Sequence, residues 1–188
     1  LREQLADGSL RRKEVALPIR ADGKPIWVKH PDEDVAALKW TLPAGVACQP
    51  LRFEQLAKAV DLTGGKMGLG DEAWIFCFPV QLEASAAGLP ILRHGCVASW
   101  PLPPLSTNRT FFVDFSTFGG DSGAPVMIWD RHGSQVQPLV IGVVLGMERQ
   151  TDRTSMPFEE RIVHHPVGLA IAAHSEIIRE TVELLLKE

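Results

Sequence analysis

The sequence is short of the features that mark the more specialised protein classes. It has only three cysteines in 188 residues, Cys48, Cys77 and Cys96. An odd number leaves at least one unpaired, which argues against a secreted disulfide scaffold and leans toward a reducing, cytoplasmic interior. Cys77 and Cys96 lie in apolar runs and read as small core residues, and no local signature around any of the three marks a nucleophile. No apolar stretch approaches the roughly 18 residues that a membrane span needs, so no membrane partner is expected. There is no long basic run and the net charge is −4, so nucleic acid is not an expected partner either. Repeats and low-complexity tracts are missing. The first residue is Leu1 rather than Met and no signal-peptide pattern follows, so the expectation is a piece of a longer reading frame.

What is present is an ordinary globular composition punctuated by turns. Asp7-Gly8 and Asp22-Gly23 read as hairpin turns. Three strands are expected early, Glu14 to Ile19, Ile26 to Lys29 and Asp34 to Leu38. Thr41 to Gly70 holds prolines, glycines and a short helix-like piece around Phe53 to Val60, and reads as a linker. Six further strands are expected at Ala73 to Phe78, Ile91 to Ser99, Thr110 to Phe115, Ala124 to Trp129, Leu139 to Leu145 and Pro166 to Ala172. Many short strands at this spacing predict an all-β barrel or sandwich. The polar stretches Arg131 to Gln137 and Glu148 to Glu160 read as mobile loops. Ser175 can cap a helix, Glu176 suits its first turn, and Ile178, Val182 and Leu185 share a face. This predicts a terminal helix from Ser175 to about Lys187, packed on its own domain.

One loop carries chemistry. In Gly119-Gly120-Asp121-Ser122-Gly123-Ala124-Pro125 the glycines tolerate backbone angles that aim the N–H groups of Gly120 and Ser122 at one oxygen, beside the Ser122 hydroxyl. Taken alone, the same residues also make a plain turn. Around the loop, several separate runs resemble the trypsin-like (chymotrypsin-fold) serine peptidases, in particular bacterial members. Pro138-Leu-Val-Ile-Gly-Val-Val-Leu-Gly146 is similar to the strand that walls the specificity pocket, and Val167-Gly168-Leu169-Ala170 to the last barrel strand before a terminal helix. Gly70-Asp-Glu-Ala-Trp-Ile-Phe-Cys-Phe-Pro79 and Arg93-His-Gly-Cys-Val-Ala-Ser99 are similar to the opening strands of the second barrel. His30-Pro31-Asp32-Glu33-Asp34-Val35-Ala36-Ala37-Leu38 resembles the family's acidic segment.

The resemblance implies two antiparallel six-stranded β-barrels and a C-terminal helix. Residues 1–42 would be the second half of the N-terminal barrel, 43–70 the linker, and 71–188 the C-terminal barrel with its helix. It implies a serine endopeptidase acting on protein or peptide substrates, with no metal or organic cofactor. Ser122 would be the nucleophile, Asp34 the carboxylate that orients the histidine, and the Gly120 and Ser122 amides the oxyanion hole. Ser116, six residues before the nucleophile, would form the base of the specificity pocket. With no acid there, apolar or small side chains are preferred over Lys or Arg. Leu145, Gly146 and Met147 would pair with extended substrate, and Gly168 would form a second wall.

The histidine itself is not found. The family's order is His, Asp, Ser. Only His30 precedes Asp34, it lies four residues away, and it reads as structural. His94, His132, His164, His165 and His174 have neither the order nor a metal-ligand spacing. Three strands are expected before the linker where a full barrel needs six. The chain is therefore expected to begin just after the catalytic histidine, which an N-terminal segment would supply. The alternative is a catalytically inactive protein-binding module on the same fold.

Overall fold

The computed structural model describes residues 1–63, 67–99, 104–130 and 136–187. Six antiparallel strands close into one barrel: β7 (Glu72–Cys77), β8 (Ile91–Val97), β9 (Thr110–Asp114), β10 (Pro125–Asp130), β11 (Gln137–Met156) and β12 (Glu159–His174). All six strands expected after the linker are present. β7, β8 and β9 form one meander and β10, β11 and β12 another; β9 pairs with β12 and β10 returns to β7. The link from β9 to β10 therefore crosses from one meander to the other, and it is the Gly119–Gly123 loop.

Period-2 alternation explains the barrel. Ala73, Ile75 and Cys77 on β7 point inward, as do Phe111 and Val113 on β9. They meet Val97, Val126, Ile141, Val144, Ala170 and Ala172 in one core. Each fully buried Ile or Val contributes about 1.5–3 kcal/mol. Backbone approach is tight where glycine stands in a strand. A Cβ at Gly142 of β11 would lie 2.3 Å from the Ala173 carbonyl oxygen. Cys77 is buried within this core, and burial, then the neighbouring Asp121 charge, pushes its thiol up to about 11. All three cysteines are free.

The N-terminal part is less than expected. No second barrel forms among the described residues. Six strands of two or three residues make three separate hairpins: β1 (Arg2–Gln4) with β2 (Leu10–Arg12), β3 (Arg20–Ala21) with β4 (Lys24–Pro25), and β5 (Trp27–Lys29) with β6 (Ala36–Leu38). The two Asp-Gly turns are where expected, and Asp22 (φ 49°) with Gly23 (φ 75°) has the left-handed pair typical of a tight hairpin. The expected strand at Glu14 to Ile19 does not form, because Pro18 removes a donor and the segment has no partner strand among the described residues. The strand expected from Asp34 starts only at Ala36, leaving Asp34 in the turn. The linker helix divides into a 3-10 turn (Phe53–Gln55) and α1 (Ala59–Thr63).

Glu148 to Glu160, expected as a loop, is instead strand. β11 and β12 continue past the barrel as a two-stranded ribbon, paired from Arg149↔Pro166 out to Met156↔Glu159. The stretch from Arg131 to Gln137, with His132, lies largely outside the described residues; the last residue, Gln137, opens β11.

Helix α2 (Ser175–Lys187) spans the expected range and packs on β5, β6, β11 and β12. Its buried side is centred on Ile177 and Thr181, one residue round from the expected stripe, with Ile178, Val182 and Leu185 only partly covered. Ser175 Oγ donates to the Ala57 carbonyl (2.7 Å) rather than capping its own helix. Just before it, His174 is wholly buried against the Phe111 ring, 4.8 Å between centroids, and neither ring nitrogen has a hydrogen-bond partner among the described residues. Burial, then the Arg109 charge, lowers its pKa from 6.5 to about 4. An unfolded chain therefore takes up a proton through pH 6.5 that the folded chain refuses until about pH 4. Stability should thus fall by about 3 kcal/mol on acidification across that window. Urea titrations at pH 7 and 4.5 should show this loss, and His174→Leu should remove most of it.

Candidate functional site

Asp34 and Ser122, 88 residues apart, line one cleft of about 300 Å³. Its other walls are Val35 and Ala36 of the β5–β6 hairpin, Gly123, Val143, Val144 and Leu145 of the barrel, and Ile178 of α2. Ser122 is exposed and its hydroxyl donates to the Leu145 carbonyl (3.1 Å). Asp34 is exposed in the hairpin turn, and its carboxylate has no protein partner among the described residues.

The loop that presents Ser122 is held from three sides. Asp121 is buried, and its Oδ2 accepts from the Phe118 N–H (2.9 Å) and from Arg93 Nη1 of β8 (3.1 Å). Arg93 also donates to the Ser116 carbonyl and lies over the Phe115 and Phe118 rings. Gly123 N–H and Val144 N–H bond across to Val144 and Ala124 carbonyls, at 2.7 and 2.9 Å, fixing the far side of the loop to β11. On the near side, the Val80 N–H donates to the Gly119 carbonyl at 2.7 Å.

That last contact comes from a strained turn. Val80 (φ 46°, ψ 35°) and Gln81 (φ 63°) are both left-handed, unusual for a β-branched residue and its neighbour. Because the peptide is planar and trans, a Gly119 carbonyl turned to Val80 sends the Gly120 N–H to the opposite side. Neither the Gly120 nor the Ser122 N–H has a protein acceptor among the described residues. Gly120 has φ 98°, and a Cβ there would lie 2.4 Å from the Phe78 carbonyl oxygen, whereas Gly119 has open space. Gly120→Ala should therefore cost about 2–3 kcal/mol, lowering Tm by about 5–10 °C in a thermal melt, while Gly119→Ala stays within about 0.5 kcal/mol.

A second cluster places Asp34. His30 is buried beneath the hairpin. Its Nδ1 accepts the Asp32 and Glu33 N–H groups, both at 3.2 Å, so the proton sits on Nε2 and is donated to Glu180 Oε2 of α2 (2.9 Å). Arg109, beside β9, donates to the same Glu180 oxygen and to Glu33 Oε1, each at 3.0 Å. Burial opposes ionisation of Glu180, but Arg109 and His30 together hold its carboxyl below the ordinary range. These bonds fasten the β5–β6 hairpin, and with it Asp34, to the barrel and helix. Glu180→Ala should release that hairpin at a cost of about 1–3 kcal/mol. Hydrogen exchange should speed up over residues 27–38 and stay unchanged in β7 to β10.

Of the residues the sequence singles out, Asp34, Ser122 and Leu145 share the cleft. Gly146 and Met147 continue β11 beyond it, and Gly168 (φ 83°) lies at a bulge where the ribbon leaves the barrel. Ser116 is exposed and does not line the cleft. Among the described residues no histidine lines it. Sequence reasoning missed Arg93, Arg109, Glu180 and Val80 as positioning groups. None carries a local pattern, since each acts on a segment tens of residues away. No family model and no curated protein matches the chain.

Proposed function

We propose that the protein is a serine endopeptidase of the trypsin-like kind, in which Ser122 attacks the scissile carbonyl. The observation that carries this reading is the shared cleft. A hydroxyl and a free carboxylate from segments far apart in sequence meet in it, and the loop that carries the hydroxyl leaves its Gly120 and Ser122 amides without a protein acceptor among the described residues. A plain turn has no need of that convergence.

In this reading an imidazole from a segment preceding Leu1 occupies the cleft between Asp34 and Ser122. The apolar walls of Val143, Val144 and Ile178 suit a neutral ring. Its unprotonated nitrogen takes the Ser122 Oγ proton, now directed at Leu145, while Asp34 accepts from the other nitrogen. The new C–O bond turns the carbonyl oxygen into an oxyanion that the Gly120 and Ser122 N–H groups receive. Losing one such donor costs about 3–4 kcal/mol of transition-state stabilisation. The imidazolium then protonates the leaving amine, and water releases the acyl group by the same route. The preference for an apolar or small residue before the cleaved bond rests on the resemblance, since Ser116 itself is exposed and does not line the cleft.

The alternative is a catalytically inactive protein-binding module on this scaffold, favoured by the lack of a histidine in the cleft among the described residues. A fluorophosphonate probe separates the two in the full-length protein. Labelling of wild type that is lost in Ser122→Ala and falls at least a hundredfold in Asp34→Ala supports the peptidase. A folded but unlabelled full-length protein supports the binding module.

A further inference from the structure

The β11–β12 ribbon is long, exposed and built beside the cleft. On the Ser122 side of β11, β10 pairs only as far as Val143, and the loop occupies Val144 and Leu145. From Gly146 to Met156 that edge of β11 has no partner strand among the described residues, while its other edge is taken by β12. At about 3.3 Å per residue the free edge reaches roughly 30 Å beyond the cleft.

Exposed edges are normally blunted by proline, charged side chains (lysine above all), bulges or brevity, and of these the β11 edge has one bulge and two Arg and two acidic side chains but great length. Gly146–Met156 contains neither proline nor lysine, and its one irregularity is the bulge at the ribbon's root, between Met147 and Arg149. The β12 edge is different, since Pro166 interrupts it next to the barrel. The open edge is thus the one continuous with Ser122. Its side chains carry no dominant charge: Glu148 and Asp152 offset Arg149 and Arg153. Recognition there would come from the backbone and tolerate many sequences. At the far end, half-exposed Met156 and fully exposed Phe158 offer apolar anchorage.

We infer that, beyond the Gly146–Met147 segment the resemblance already gives to substrate, the free β11 edge from Glu148 to Met156 is an extended binding surface that adds an unfolded stretch of polypeptide as an antiparallel strand. The inference rests on the peptidase reading for its orientation. An antiparallel strand ending at Ser122 lays the residues before the scissile bond along the ribbon. The substrate class is an unfolded or locally unfolded chain with about eight or more extended residues before the cleaved bond, not a short sequence motif.

The test uses the full-length protein and a variant in which Gln150–His165 is replaced by Asn-Gly, joining the register partners Arg149 and Pro166 by a two-residue turn. The substrates are β-casein, an unfolded protein, and a tetrapeptide p-nitroanilide with an apolar last residue. The inference expects kcat/KM for β-casein to drop at least tenfold, with tetrapeptide hydrolysis and fluorophosphonate labelling unchanged. Equal effects on both substrates, or none, overturn it. A second measurement is independent of turnover and of that variant's folding. Hydrogen exchange of Ser122→Ala is followed with and without a 20-residue β-casein peptide. Slowed exchange over residues 148–156 upholds the surface even if wild type proves unlabelled and the peptidase reading fails. No slowing overturns the surface even if labelling succeeds. Slowing that grows with protein concentration alone assigns the edge to a second copy of the chain, and also overturns it.

Discussion

Closure of the barrel between β7 and β10 is the constraint on which the rest depends. Once β9 ends, the chain can reach the free side of β7 only by crossing one end of the barrel. The crossing must be short and turn sharply, so it is written in glycine, and it buries Asp121 on the way. A buried carboxylate is costly unless compensated. Arg93 and the Phe118 N–H compensate one oxygen, while the other, Oδ1, has no hydrogen-bond partner among the described residues. Ser122, next along, is exposed for the same geometric reason that Asp121 is hidden: the two point to opposite sides of one turn. Presentation of the hydroxyl is thus a by-product of closing the sheet.

The N-terminal hairpins have no such closure to rely on. Their strands are too short to bury a face, and what holds β5–β6 in place is polar. His30, Glu33, Arg109 and Glu180 satisfy one another across three elements that are remote in sequence. Such a network is worth little if any one member is missing, because the others then lose partners. Asp34 therefore reaches the cleft on a mount quite unlike that of Ser122. One side chain is fixed by a chain crossing at one end of the barrel, the other by a partly exposed set of charges.

This division also governs what could be read from the sequence. The six barrel strands were legible because a buried face imposes alternation, visible in Ala73, Ile75 and Cys77 without knowing what they touch. The ribbon was not, because neither of its faces is buried. Thr151, Asp152, Arg153 and Thr154 look like a loop to any rule that searches for an apolar side. Glu14 to Ile19 failed in the opposite direction: its apolar residues alternate, but no strand lies beside them. At the site, the Gly-Asp-Ser-Gly loop and the acidic segment stood out as local patterns. Their meeting in one cleft did not, nor did the left-handed Val80, a conformation its β-branched residue type disfavours and whose N–H bonds the remote Gly119 carbonyl.

The ribbon also bears on why the cleft and the edge belong together. A free β-edge about 30 Å long is a liability in solution, inviting association with any extended chain. The barrel removes its other edges by closure. The ribbon leaves both its outer edges open, and the β11 one is the longer and runs on from Ser122. Two bulges, between Val144 and Gly146 and between Met147 and Arg149, twist β11 where it passes Ser122. They bend and twist β11 as the ribbon leaves the barrel. The same irregularities end the barrel at this corner, so that the ribbon's open edge begins where the Ser122 hydroxyl meets the Leu145 carbonyl.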